Sequence, residues 1–405
     1  MWNGTSYCKR FVIIVVFIFS LILFCGLNSS SNMKLAYAEV SAEDQLNDKT
    51  NEILDDIDSG ELDDYIDSDF GFEYFEKSSF KELVKSVLGG DFFVDYGSLL
   101  SWIKINFTES LKSIFSLLMI LFLLVVVSEC FKNLCSEKYA DIKKIVKVIF
   151  SLAIILLVVI LFKDLVANVS ETISKIFSFI KILFPILLNL ILLSGATASF
   201  SIYSSLSVFL FNTISYVYEF VLMPLAVSIL VLSLFGSIFN NDRFTKISDI
   251  FKSIFKYIIA GIFAVFGMLS TINLITGGVK DGVGLRLTKY AIKNYVPVLG
   301  GYISDGFDFV HSCSVLVKNA FGVCGLYLLI FIVLKPLLFY VAYMFAFKLL
   351  AVVVSYVGEK HYCDMFENMA KSISYFIAVL VGLFMILFLF FVLLIMSVSV
   401  VWNDL

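Results

Sequence analysis

Residues 275–325 read ITGGVKDGVGLRLTKYAIKNYVPVLGGYISDGFDFVHSCSVLVKNAFGVCG. Apolar runs long enough to cross a bilayer flank this stretch on both sides. Between them it carries Lys280, Asp281, Arg286, Lys289, Lys293, Asp305, Asp308, His311 and Lys318, with nine of the chain's 22 glycines. A chain that needed only an anchor would join its spans by short loops. A polar, glycine-rich insert between greasy segments therefore reads as the working part of a multi-pass membrane protein.

Composition agrees. Hydrophobic residues make up 60% of the 405 residues and charged residues 16%, with a mean hydropathy of +0.95, against roughly 45–50% and 25% in soluble domains. The net charge of −4 hides an asymmetry. Residues 39–76 hold fifteen Asp or Glu against the single Lys49, a net of −14, while the rest of the chain carries +10. Such a block reads as a solvated, flexible segment. The basic residues scatter at the ends of apolar runs and form no stripe, which argues against nucleic acid as a partner. Seven cysteines without C-x-x-C spacing support neither a disulfide framework nor a zinc site.

The fold class expected is all-α: a polytopic membrane protein of about seven to nine transmembrane helices, preceded by a signal-like segment and a small acidic extracytoplasmic region. Lys9-Arg10, the apolar run 11–27 and Ala36-Tyr37-Ala38 give residues 1–38 the layout of a signal peptide or an uncleaved anchor. The acidic segment covers 39–76. Apolar residues at helical spacing make 77–112 amphipathic helices, divided at Gly89-Gly90. A first membrane bundle takes 113–276. In it the loop 131–147, with five lysines, faces the cytoplasm. Residues 163–181 lie along the outer surface, and Pro185, the cluster 194–199 and Pro224 break a long apolar run. The central segment 277–319 lies outside the membrane or folds back into it as a re-entrant segment. A C-terminal bundle, 320–405, is interrupted at Lys335-Pro336.

Motifs for catalysis are absent from the sequence: no G-x-x-x-x-G-K-[ST], no H-E-x-x-H, no G-x-S-x-G. With two histidines, no His-rich metal site can form. The expectation is a non-enzyme with no cofactor. Asp305, Asp308 and His311 are spaced to share one helix face, which is more simply a polar surface than a cation or proton site. Glu219 and Lys335 fall inside apolar runs, where an unpaired charge costs roughly 2.5–3.5 kcal/mol. They are candidates to line a polar interior, against the simpler reading that each sits at the membrane surface. An ion-coupled secondary transporter built on these charges is the alternative function.

The run DGVGLRLTKYAIKNYVPVLGGYISDGFDFV and the SxxLVKNAFGVCG portion after it resemble the stage III sporulation protein AE family of endospore-forming bacteria. The matching positions include Asp281, Gly282, Leu285, Arg286, Lys289, Pro297, Gly300, Asp305, Asp308, Lys318, Asn319, Gly322 and Gly325. The resemblance implies a component of a secretion-like transenvelope complex in the mother-cell membrane around the forespore, needed for late forespore gene expression. Its implied partners are other stage III proteins, among them a secretion-type ATPase and ring-forming subunits, together with membrane lipid. It implies no catalytic residues and no oligomeric state.

Overall fold

A computed structural model describes residues 49–69, 79–90, 96–134, 140–239, 242–295, 300–357 and 360–399. The signal-like segment 1–38 and Pro297 lie outside the described residues. Among those described the secondary structure is helical, as the apolar periodicity requires. Residues 49–56 are helical, and two further short helices, α1 (Gly60–Asp69) and α2 (Phe80–Gly89), precede seven longer ones. These are α3 (Tyr96–Leu134), α4 (Ala140–Leu193), α5 (Thr197–Val217), α6 (Met223–Phe239), α7 (Asp242–Tyr295), α8 (Gly300–Val357) and α9 (Lys360–Ser399).

Among the described residues six stretches are long and apolar enough to cross a membrane, where the sequence reading expects seven to nine over the chain: Gly97–Phe131, Val148–Leu193, Thr197–Ser237, Arg243–Thr271, Ile303–Val357 and Lys360–Ser397. The difference comes from the prolines. Pro185 lies inside α4 and Pro336 inside α8, so neither ends its helix. Residues 163–181 accordingly continue α4, with Leu165, Val169, Ile173, Ile176 and Ile180 buried on one face. Residues 96–112 continue into the first span as part of α3. Pro224 disturbs its helix more. A π turn, Tyr218–Leu222, separates α5 from α6, and the Met223 N–H reaches back five residues to the Tyr218 carbonyl. That wider turn makes room for a ring that would otherwise strike the preceding turn.

The long helices pack side by side, with α5 continuing through the π turn into α6. Tyr340 donates to the Leu165 carbonyl at 2.7 Å and ties α8 to α4. Phe390 on α9 packs against Phe184 of α4, Phe211 of α5 and Phe266 of α7. Helix α9 is thereby enclosed between α8 on one side and α6 and α7 on the other, and its Phe376, Val379, Leu383, Ile386 and Phe391 are shut off from solvent. Close approach is literal at Gly322, where a Cβ would stand 2.5 Å from Ile395 Cγ1.

The described part of the acidic region is ordered as helix and docked. Leu54, Leu62, Tyr65 and Ile66 are buried, and Tyr65 donates to the Lys175 carbonyl of α4 at 2.7 Å. Glu52, Asp55, Asp56, Asp58, Glu61 and Asp64 remain outside, so the described part buries an apolar face and exposes an acidic one. Asp63 also caps α2, accepting from the Phe80 N–H at 2.7 Å.

Candidate functional site

The central segment is the pairing of the last turns of α7 with the first turns of α8, and it closes over one end of the bundle. What it closes on is the turn between α4 and α5. The carbonyl of Leu192 accepts from the Gly195 N–H at 2.9 Å, and that of Ile191 from the Ala196 N–H at 3.3 Å. This pattern ends a helix through a residue at positive φ. Gly195 supplies it with φ +78, and its α-carbon faces Leu285 of α7 and Phe307 of α8, each 3.3 Å from where a Cβ would be.

Helix α5 begins at once, and Ala196 before it has no side chain to cap it. Its first N–H groups would be orphans in a buried place. Asp281, only 5% exposed, satisfies them from α7: Oδ1 accepts from the Ala198 N–H at 2.8 Å and Oδ2 from the Ser199 N–H at 2.9 Å. The carboxylate also sits at the positive end of the α5 dipole, so its charge is met as well as its lone pairs. From α8, buried His311 places Nδ1 against the Ser194 carbonyl. A carbonyl partner requires that nitrogen to carry the proton.

A second buried charge meets the opposite helix end. Lys318, 1% exposed, donates from Nζ to the carbonyls of Leu394 at 3.2 Å and Ile395 at 2.8 Å, in the last turns of α9. A cation there complements the negative end of the α9 dipole. Lys289 of α7 pairs with Asp308 of α8 at 2.6 Å across the pairing itself, both groups partly exposed.

Of the sequence candidates, Asp281, Lys289, Asp308 and Lys318 belong to this clasp. Gly282 sits half-buried beside Asp281, and Gly300 opens α8. Asn319 follows Lys318, partly buried, with Oδ1 unpartnered. Arg286 and Asp305 are exposed. Asp305, Asp308 and His311 do not act as one constellation, because Asp308 turns to Lys289 and His311 to the 194 turn. Glu219 lies exposed in the π turn with Ser215 Oγ at 3.5 Å, and Lys335 is exposed one residue before Pro336. Neither points into the bundle. The partners of the clasp, Ser194, Ala198, Ser199, Leu394 and Ile395, contribute backbone atoms that no motif reveals. Gly195 within the small cluster SGATAS was the one readable signal.

No group of three or more His, Cys, Asp or Glu side chains that could hold a metal ion occurs among the described residues. The arrangement can do mechanical work: it joins four helices at one end through charges placed on helix termini.

Comparison with known proteins bears on the same segment. No solved structure matches the chain. Stage III sporulation protein AE of Bacillus subtilis (strain 168) is 27% identical over 196 residues, so the chain spans about half the length of that curated relative, 49%, and the match takes in 48% of the chain. The sequence model of the family described as Stage III sporulation protein AE (spore_III_AE) matches residues 78–399, which include every helix from α2 to α9 and the whole clasp, and the chain belongs to that family.

Proposed function

We propose that the protein is a non-enzymatic membrane subunit of the sporulation complex linking mother cell and forespore, seated in the membrane around the forespore and required for late forespore gene expression. The observation that carries the reading is the family match over 78–399 on a bundle of six apolar helices. The clasp supports a scaffold or conduit wall over an ion-coupled transporter. Its two most buried charges, Asp281 and Lys318, are already engaged by helix termini and are not left to bind a travelling ion. Working partners on this reading are a secretion-type ATPase and ring-forming subunits, which would supply the energy and the symmetry.

The test is a deletion strain carrying a late forespore reporter. Loss of reporter activity and of heat-resistant spores, restored by the full-length gene, is expected, along with co-purification of other stage III proteins. Normal sporulation in the deletion strain would overturn the reading.

A further inference from the structure

The outer surface of the bundle differs from side to side at a single height. On α4, the outward residues Ile145, Val148, Ile149, Leu152, Leu156, Val159 and Ile160 are exposed and apolar. Beyond Lys163 and Asp164 the same face becomes Ser170, Glu171, Ser174, Ser178, Lys181 and Asn189, all exposed. Helix α3 changes at the same level, from apolar Phe115 and Met119 to exposed Lys112, Glu109, Thr108 and Lys104, with Ile105 and Leu100 exposed among them. One cleft fixes the common height, since Ser113 and Ile114 line it with Ile160, Leu161 and Asp164.

Above that level, this side also carries the docked acidic segment. Glu52, Asp55, Asp56, Asp58, Glu61 and Asp64 are exposed, and Tyr65 pins the segment beside Lys175. Carboxylates in that number cannot stand in hydrocarbon. The far side of the bundle contrasts with it. Phe390 touches Phe184, Phe211 and Phe266, which sets α5 and α7 level with residue 184 of α4, roughly 30 Å above Asp164 at 1.5 Å per residue. There the large exposed hydrophobic residues are Val208, Phe209, Tyr216, Val265 and Met268, with Asn212 and Thr213 the exposed polar residues beside Phe211.

We infer that the bundle is wetted along one side and greased along the other at the same height: the α4 stripe with the acidic segment borders a water-filled space, and the α5 and α7 faces border the acyl chains of the bilayer. A helix in a plain lipid surround would have no use for a serine and lysine stripe some 26 residues long, from Lys163 to Asn189. The inference deepens the proposed function, because a subunit walling a conduit needs one wet side, but the two readings fail separately.

The test uses full-length protein in membranes from sporulating cells, with Cys8, Cys25, Cys130, Cys135, Cys313, Cys324 and Cys363 replaced by serine. Single cysteines are introduced as Lys181→Cys, Asn189→Cys, Phe209→Cys and Val265→Cys, which lie near the level of residue 184, and treated with a small charged methanethiosulfonate. Thiols react as thiolates, which form in water and not in hydrocarbon, so the first two should react about 100-fold faster than the last two. Ser178→Cys and Met268→Cys form a replacement pair if a variant fails to accumulate. Rates within about threefold at all positions, fast or slow, would overturn the inference whatever the sporulation phenotype.

Discussion

Asp281 caps the helix containing Ala198 from a position 83 residues further along the chain. A local serine or aspartate would normally do this, and here a side chain from another helix does, so the cap also fixes where α7 stands relative to α5.

Removing it should loosen both. Asp281→Ala leaves two buried N–H groups without partners and is expected to cost about 2–3 kcal/mol, a cap loss of up to about 2 plus desolvation. Asp281→Asn keeps one acceptor and should cost less. Thermal unfolding in detergent measures the order; equal midpoints for wild type and both variants would refute the capping role.

Lys318 gives a prediction about sign. Lys318→Glu sets a carboxylate against two carbonyls at the negative end of α9, and membrane levels of the protein should fall below a tenth of wild type, a deficit of more than about 1.4 kcal/mol. Lys318→Met removes both donors but also a buried charge, and it should be tolerated better. Immunoblotting of membrane fractions decides; a Glu variant as abundant as the Met variant would contradict the assignment.

Packing at Gly322 predicts a rescue. Gly322→Val should destabilise by about 1–3 kcal/mol through overpacking against Ile395. Adding Ile395→Ala should recover part of that loss, seen as a partial return of the unfolding midpoint. Two independent, additive losses would mean that the contact is not made.

At Gly195, φ +78 penalises any side chain, so Gly195→Ala should cost about 1–2 kcal/mol. Gly195→Val should cost more, because Leu285 and Phe307 close the space as well. Gly306, with nothing near its α-carbon, serves as the control.

Sequence periodicity was enough for the helical class, because long apolar runs at helical spacing admit little else in a membrane. Element boundaries were legible only where a backbone break was local, as at Gly195. Pro185 and Pro336 looked like breaks and are not, since neighbouring helices can hold a proline-bearing helix on course where an isolated one would end. The polar character of 277–319 could be read from charge in a greasy context, but the contacts of its residues could not. Asp281 and Lys318 act on backbone atoms of distant helices, and a main-chain N–H or carbonyl leaves no mark in the residue alphabet. Glu219 and Lys335 stand on the outer surface of the bundle and not in its interior, a direction that one dimension does not give.

The clasp also sets an order for biogenesis. The turn at 194–196 and the start of α5 leave the ribosome long before their partners do: Asp281 follows Ala198 by 83 residues and His311 follows Ser194 by 117. Until those arrive, the nascent α4–α5 corner holds bare amides and an unclaimed carbonyl that lipid cannot satisfy. An insertion chaperone, or water retained at the translocon, must shelter that corner through the synthesis of α6 and α7, and a chain halted before residue 281 would be left as a substrate for membrane proteases.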